Sequence, residues 1–161
     1  MKNELHLKHT FSAPREEVFR YWTNPRLLEK WSSPEGMTLK VPVFEAKTDG
    51  KYRYEHTDGN DVYVCNGHFE NFVPNEKLMT IDNVASALKG VLFENLRTEV
   101  TFIDEGPRTF VYVIQTGFKN EKDADDCHLS WQQCFEKLEN LLEHKRFRPG
   151  QELREHQIRG D

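Results

Sequence analysis

An α+β fold, with a curved antiparallel sheet wrapped around one long C-terminal helix, is what this sequence predicts. Three observations carry that expectation. A first period-two segment is followed by two short helical stretches. A run of further period-two segments then occupies residues 37–118. An amphipathic helical segment follows. The 161 residues suit one domain.

The first segment, "ELHLKHTF", sets Leu5, Leu7, His9 and Phe11 against Glu4, His6, Lys8 and Thr10, the signature of a strand. In "SAPREEVFRYW", Ser12 is the expected N-cap of a helix with Pro14 in its first turn. Glu16 and Glu17 face the positive helix end, and Val18, Phe19 and Trp22 share one face. "TNP" breaks this helix and "PRLLEKW" starts a second at Pro25, which Trp31 closes before "SSPEG" turns the chain. The strands "MTLKVPVFEA" and "KYRYEHT" flank the turn signal "KTDG", and "DGN" introduces "DVYVCNGHFENFVP". Gly67 inside that strand predicts a bulge or bend. "KLMTID" is a further strand, and "RTEVTFIDEG" with "PRTFVYVIQTGF" makes a last hairpin around Asp104 to Pro107. The intervening residues 83–96 are apolar but keep neither period, so a strand, a lid and an interface all stay open for them. In residues 123–145, Cys127, Trp131, Cys134, Phe135, Leu138, Leu141 and Leu142 recur at spacings of three and four, a helix of about five turns. The domain is expected over residues 1–144, with a polar tail from 145 to 161.

Composition removes several function classes. The net charge of −5 argues against a nucleic-acid binder, which needs a basic face. Three cysteines with no C-x-x-C spacing point away from a zinc site or disulfide framework and toward a reducing, cytoplasmic setting. No stretch approaches the roughly 18 apolar residues of a membrane span. Cys65 and His68 are three apart in a strand and point to opposite faces, so they do not form a metal pair. No Ser-centred elbow, P-loop or dinucleotide fingerprint is present. Neither a metal nor a cofactor is expected.

Several motifs occur in a telling order: Ala13-Pro14; Asn24-Pro25 leading to Trp31 and Pro34-Glu35-Gly36; "DGKYRY"; Gly67, Phe69, Phe72, Pro74, Lys77 and Leu78 in "GHFENFVPNEKL"; and Trp131 with Leu138 and Leu142. This series resembles the START-like (SRPBCC) superfamily with its helix-grip fold, and within it the Hsp90 ATPase activator homologue-like (AHSA1-like) branch. The likeness covers about residues 4–144. Two positions depart from the pattern: Asp49-Gly50 replaces a usual double glycine, and Ser130 stands where a glycine often precedes the tryptophan.

The resemblance implies a cavity between sheet and C-terminal helix that binds a small hydrophobic or lipid-like ligand. Trp31, Tyr52, Tyr54, His56, Phe69, Phe102, Tyr112, Trp131 and Phe135 are the candidates for lining it. Period two places Tyr52, Tyr54 and His56 on one face, and each brings an apolar body with a polar tip suited to orienting a ligand. A cyclase- or hydrolase-type enzyme using Tyr54 or His56 as acid/base is the alternative, as is a chaperone co-factor or a homodimer acting through an exposed apolar surface. No residue is assigned a catalytic role, and a binding module is the preferred expectation.

Overall fold

Seven strands form one antiparallel sheet in the order β1-β7-β6-β5-β4-β3-β2. They are β1 (Leu5–Phe11), β2 (Thr38–Phe44), β3 (Lys51–Thr57), β4 (Val62–Val73), β5 (Lys77–Ser86), β6 (Gly90–Glu105) and β7 (Arg108–Thr116). Helices α1 (Arg15–Thr23) and α2 (Pro25–Trp31) connect β1 to β2, carrying the chain from one sheet edge to the other. Helix α3 (Glu121–Arg146) closes the series. The computed structural model describes residues 3–146, so the polar tail expected after the last helix lies almost wholly outside the described residues. No helix among the described residues is long and apolar enough to cross a membrane.

The strands and helices follow the expected order, and residues 83–96 resolve as strand. They form the end of β5 and the start of β6, joined at a turn after Ser86. Their periodicity is broken because register shifts fall between Asp82 and Val84 and between Val84 and Ala85. Gly67, by contrast, marks no bulge. It stays in register with Tyr52 on one side and Asp82 on the other, and the shift in β4 falls between Phe69 and Asn71. Ser12 is not the helix cap. Helix α1 begins after Pro14, which has no side-chain cap, and the Ser12 backbone N–H donates instead to Glu139 Oε2 at 3.3 Å. The true cap is Asn24 before α2, whose side-chain oxygen accepts from Arg26 N and Leu27 N at 2.9 and 3.2 Å.

The Asp49-Gly50 departure also has a backbone explanation. Asp49 adopts φ of 67°, which aspartate tolerates better than most residues. A Cβ on Gly50 would sit 2.1 Å from the Glu45 carbonyl oxygen, so that position admits only glycine.

The core is densest where α1 and α2 meet the C-terminal half of α3. Trp22 packs edge-on against Trp31 (ring centroids 4.5 Å apart) and Phe102 (5.1 Å), and Phe11 packs against Phe135 at 5.0 Å. Trp31 is 1% exposed, and its indole N–H donates to the Tyr21 carbonyl at 3.0 Å. Phe135, Leu138 and Leu142 of α3 are equally buried. Burying each such side chain contributes about 1.5–3 kcal/mol. Polar contacts hold the same end of α3: His9 Nε2 and Glu139 Oε1 lie 3.1 Å apart, and Lys145 Nζ pairs with Glu17 at 3.0 Å.

Trp131 sits one turn before Phe135 and is only partly buried. The two positions therefore separate packed core from open wall. Phe135→Ala should lower the unfolding free energy by about 3–5 kcal/mol and Trp131→Ala by less than about 3 kcal/mol, read from urea titrations. Equal losses would mean that the two ends of the helix are packed alike.

Candidate functional site

Toward the N-terminal half of α3 the packing opens. A cavity of about 760 Å³ lies between the inner face of the sheet and Cys127, Ser130, Trp131 and Cys134 of the helix. Residues from β3 to β7 form its floor, and Leu28, Ser32, Pro34 and Met37 border it beside α2.

Of the residues expected to line it, Tyr52, Tyr54, His56, Phe69 and Trp131 face this cavity. The other four do not, and each has a physical reason. Trp31, Phe102 and Phe135 are consumed by the aromatic block beneath α1 and α2. Tyr112 has the wrong parity. Its neighbours Val111 and Val113 are fully buried, so its own side chain projects from the opposite face, where its hydroxyl lies 2.8 Å from His6 Nδ1.

The polar groups on the wall divide into those already satisfied and those with capacity to spare. Trp131 Nε1 donates to Gln115 Oε1 at 3.1 Å, and Gln115 Nε2 donates to Thr98 Oγ1 at 2.9 Å, which links α3 to β7 and β6. Ser33 and His56 Nδ1 share a hydrogen bond of 2.6 Å. The loop bearing Ser33 is fixed by Lys137 of α3, whose ammonium donates to the Ser33 carbonyl at 2.7 Å. Burial lowers the His56 imidazole to about 4, so at neutral pH it is an uncharged ring.

Tyr52, Gly67 and Asp82 lie side by side across three strands. The Tyr52 hydroxyl reaches over Gly67 and donates to Asp82, and the Cys65 thiol lies near the same carboxylate. Glycine is required between them. A Cβ at position 67 would lie 2.2 Å from Asp82 Oδ1 and 2.5 Å from the Tyr52 ring. Burial lifts the Asp82 carboxyl to about 6, against the lowering pull of the Tyr52 bond, the Cys65 thiol and His68. Burial likewise pushes the Tyr52 and Tyr54 phenols and the Cys65 thiol upward, so all three stay protonated donors. Tyr54 stacks on Tyr52 with centroids 4.7 Å apart, and among the described residues its hydroxyl has no hydrogen-bond partner.

Asp82 and Gln115 were not among the expected site residues. A signal for Asp82 exists: it follows Leu78 and Thr80 at period two, which places an acid on the inner face.

A curved antiparallel sheet holding a long helix, with a cavity beneath that helix, defines the helix-grip class of protein. The model of the family described as "Activator of Hsp90 ATPase homolog 1-like protein" matches residues 12–143. The chain belongs to this family. A crystal structure of a Chromobacterium violaceum protein is similar at 29% identity and a TM-score of 0.78, covering 89% of this chain and 99% of that one. A solution structure from Arthrobacter aurescens (18% identity, TM-score 0.78, 89% and 87% covered) has the same fold. So has one from Staphylococcus epidermidis (21%, 0.77, 90% and 92%). No curated protein sequence matches the chain.

Two partly buried titratable groups on the cavity wall bias stability in opposite directions with pH. The His56 pKa is lower folded than unfolded, so its contribution is complete above the ordinary imidazole value of 6.5 and is lost as pH falls toward about 4. The Asp82 pKa is higher folded than unfolded, so the folded state binds its proton more tightly and stability declines as pH rises from 3.8 through about 6. Asp82→Asn keeps an acceptor for Tyr52 and removes the buried charge. It should raise Tm relative to the parent at about pH 8, with the gain vanishing near about pH 4 in thermal melts. A gain that does not change with pH would contradict the burial of this carboxylate.

Proposed function

We propose that this protein is a binding module that holds a small hydrophobic molecule between the sheet and the N-terminal half of α3. The observation that carries this reading is the cavity itself. Its volume of about 760 Å³ falls within the roughly 300–1,000 Å³ of small-molecule sites. Aliphatic and aromatic groups such as Phe69, Val84, Phe93, Leu96, Val100 and Trp131 make up much of its wall. The few polar groups on that wall are those that would orient a ligand rather than attack it. His56 is neutral and bonded to Ser33, and the Cys65 thiol is held protonated by burial and sits against a carboxylate, far from nucleophilic form. The family's name refers to a chaperone, and a shared fold does not transfer that partner.

A neutral fluorescent probe, N-phenyl-1-naphthylamine, tests the reading. It should bind the folded protein with a rise in emission and an affinity in the micromolar range, about −8 kcal/mol. Val84→Trp, which fills the cavity from its floor, should weaken that binding at least about tenfold while the near-UV circular dichroism stays native-like. Val84→Leu serves as the volume-tolerant control. No binding to the parent, or undiminished binding to a folded Val84→Trp protein, would overturn the proposal.

A further inference from the structure

The electrostatics of the cavity wall are one-sided. Its charged lining groups are the carboxylates Asp82, Asp123 and Asp126 and a single ammonium, Lys89. Lys89 is engaged with the Tyr63 hydroxyl at 3.1 Å. Asp126 is paired with Lys122 at 2.7 Å, and both rim acids stand at the start of α3. Asp82 is different, because it stands on the floor among apolar side chains. Its only basic influence among the described residues is His68, which is exposed next to buried Phe69 on β4 and so projects from the other face of the sheet. A carboxylate offers about four acceptor positions. The bond from Tyr52 uses one of them.

A carboxylate partly withdrawn from water into an apolar wall, with no cation beside it, gains from a cation brought to it. The stacked Tyr52 and Tyr54 rings beside it, with Phe69 and Trp131 on the same wall, offer the π-faces on which ammonium groups rest. The unpartnered Tyr54 hydroxyl supplies a further oxygen.

Building on the binding role proposed above, we infer that the ligand is an amphiphilic amine: an apolar body in the cavity, with a protonated nitrogen hydrogen-bonded to Asp82 and bordered by Tyr52 and Tyr54. Asp82 is the specificity-determining residue of the site. It discriminates against fatty acids, whose carboxylate would face it as a like charge.

Isothermal titration with dodecylammonium, dodecanol and dodecanoate, each below its micellar concentration, tests this. Dodecylammonium should bind the parent protein at least about tenfold more tightly than either chain-matched competitor, the weight of one charge-assisted hydrogen bond. Asp82→Asn should abolish that preference and leave dodecanol affinity within about twofold. A pH series on the parent protein gives a second readout should the variant fail to fold. The dodecylammonium preference should fade as pH falls through about 6, where Asp82 takes up its proton, while dodecanol binding holds. The groups facing Asp82 are Tyr52 and Tyr54 from β3 and Cys65 from β4, with Asp123 and Asp126 of α3 and Lys89 of the turn on the same cavity. The three donors on β3 and β4 stay protonated throughout that range. Equal binding of all three chains, or preference for dodecanoate, overturns the inference while leaving a hydrophobic binding module intact. Failure of all three chains together with the neutral probe overturns both.

Discussion

The unequal grip of the sheet on α3 is the constraint from which the rest of the molecule follows. One long helix lies across a strongly curved seven-stranded sheet, and the two surfaces cannot match along its whole length. At the C-terminal half, Phe135 packs against Phe11 and Trp22, Leu138 and Leu142 are buried in the same core, and Glu139 bonds back to His9 and the Ser12 amide. The two short helices exist to fill this end. Their buried residues, Phe19, Trp22, Leu28 and Trp31, complete the aromatic block that fixes the helix. With that end fixed, the other half of α3 is held off the sheet, and the cavity is the space that remains.

Inside that space, polar groups are handled in two ways. Some are paired within the wall, as in the Trp131–Gln115–Thr98 chain, which ties α3 to the sheet. Others are prepared but incomplete. Asp82 is oriented by Tyr52 across the gap left by Gly67, with lone pairs to spare. The inferred preference for a cation rests on a carboxylate and a phenol left incomplete amid aromatic faces, and the neutral His56 adds no opposing charge.

Much of this was legible in the sequence, because it rests on periodicity. Alternation across Tyr52, Tyr54 and His56 puts all three on the cavity face, and the spacing from Cys127 to Leu142 marks the inward side of α3. Where reading by pattern went wrong, packing or parity made the difference. Trp31, Phe102 and Phe135 have the residue types of a pocket wall, but two short helices drop onto them, and no one-dimensional pattern shows how closely elements approach. Tyr112 shares its aromatic character with the inner residues yet falls one position out of phase with Val111 and Val113. Asp82 was overlooked because an acid near a strand end looks like a surface residue. Period two from Leu78 and Thr80 puts it on the inner face, and the three-strand register, with glycine between tyrosine and aspartate, shows what it meets there. Gly67 itself suggested a bulge, whereas its role is to make room.

The central claim is that the space beneath the N-terminal half of α3 is the binding site. Intermolecular nuclear Overhauser effects between bound N-phenyl-1-naphthylamine and protein carrying isotope-labelled tyrosine and tryptophan test it most directly. The account predicts cross-peaks to the rings of Tyr54 and Trp131 and none to Tyr112 on the outer face. Cross-peaks to Tyr112 with silence at Tyr54 and Trp131 would contradict it.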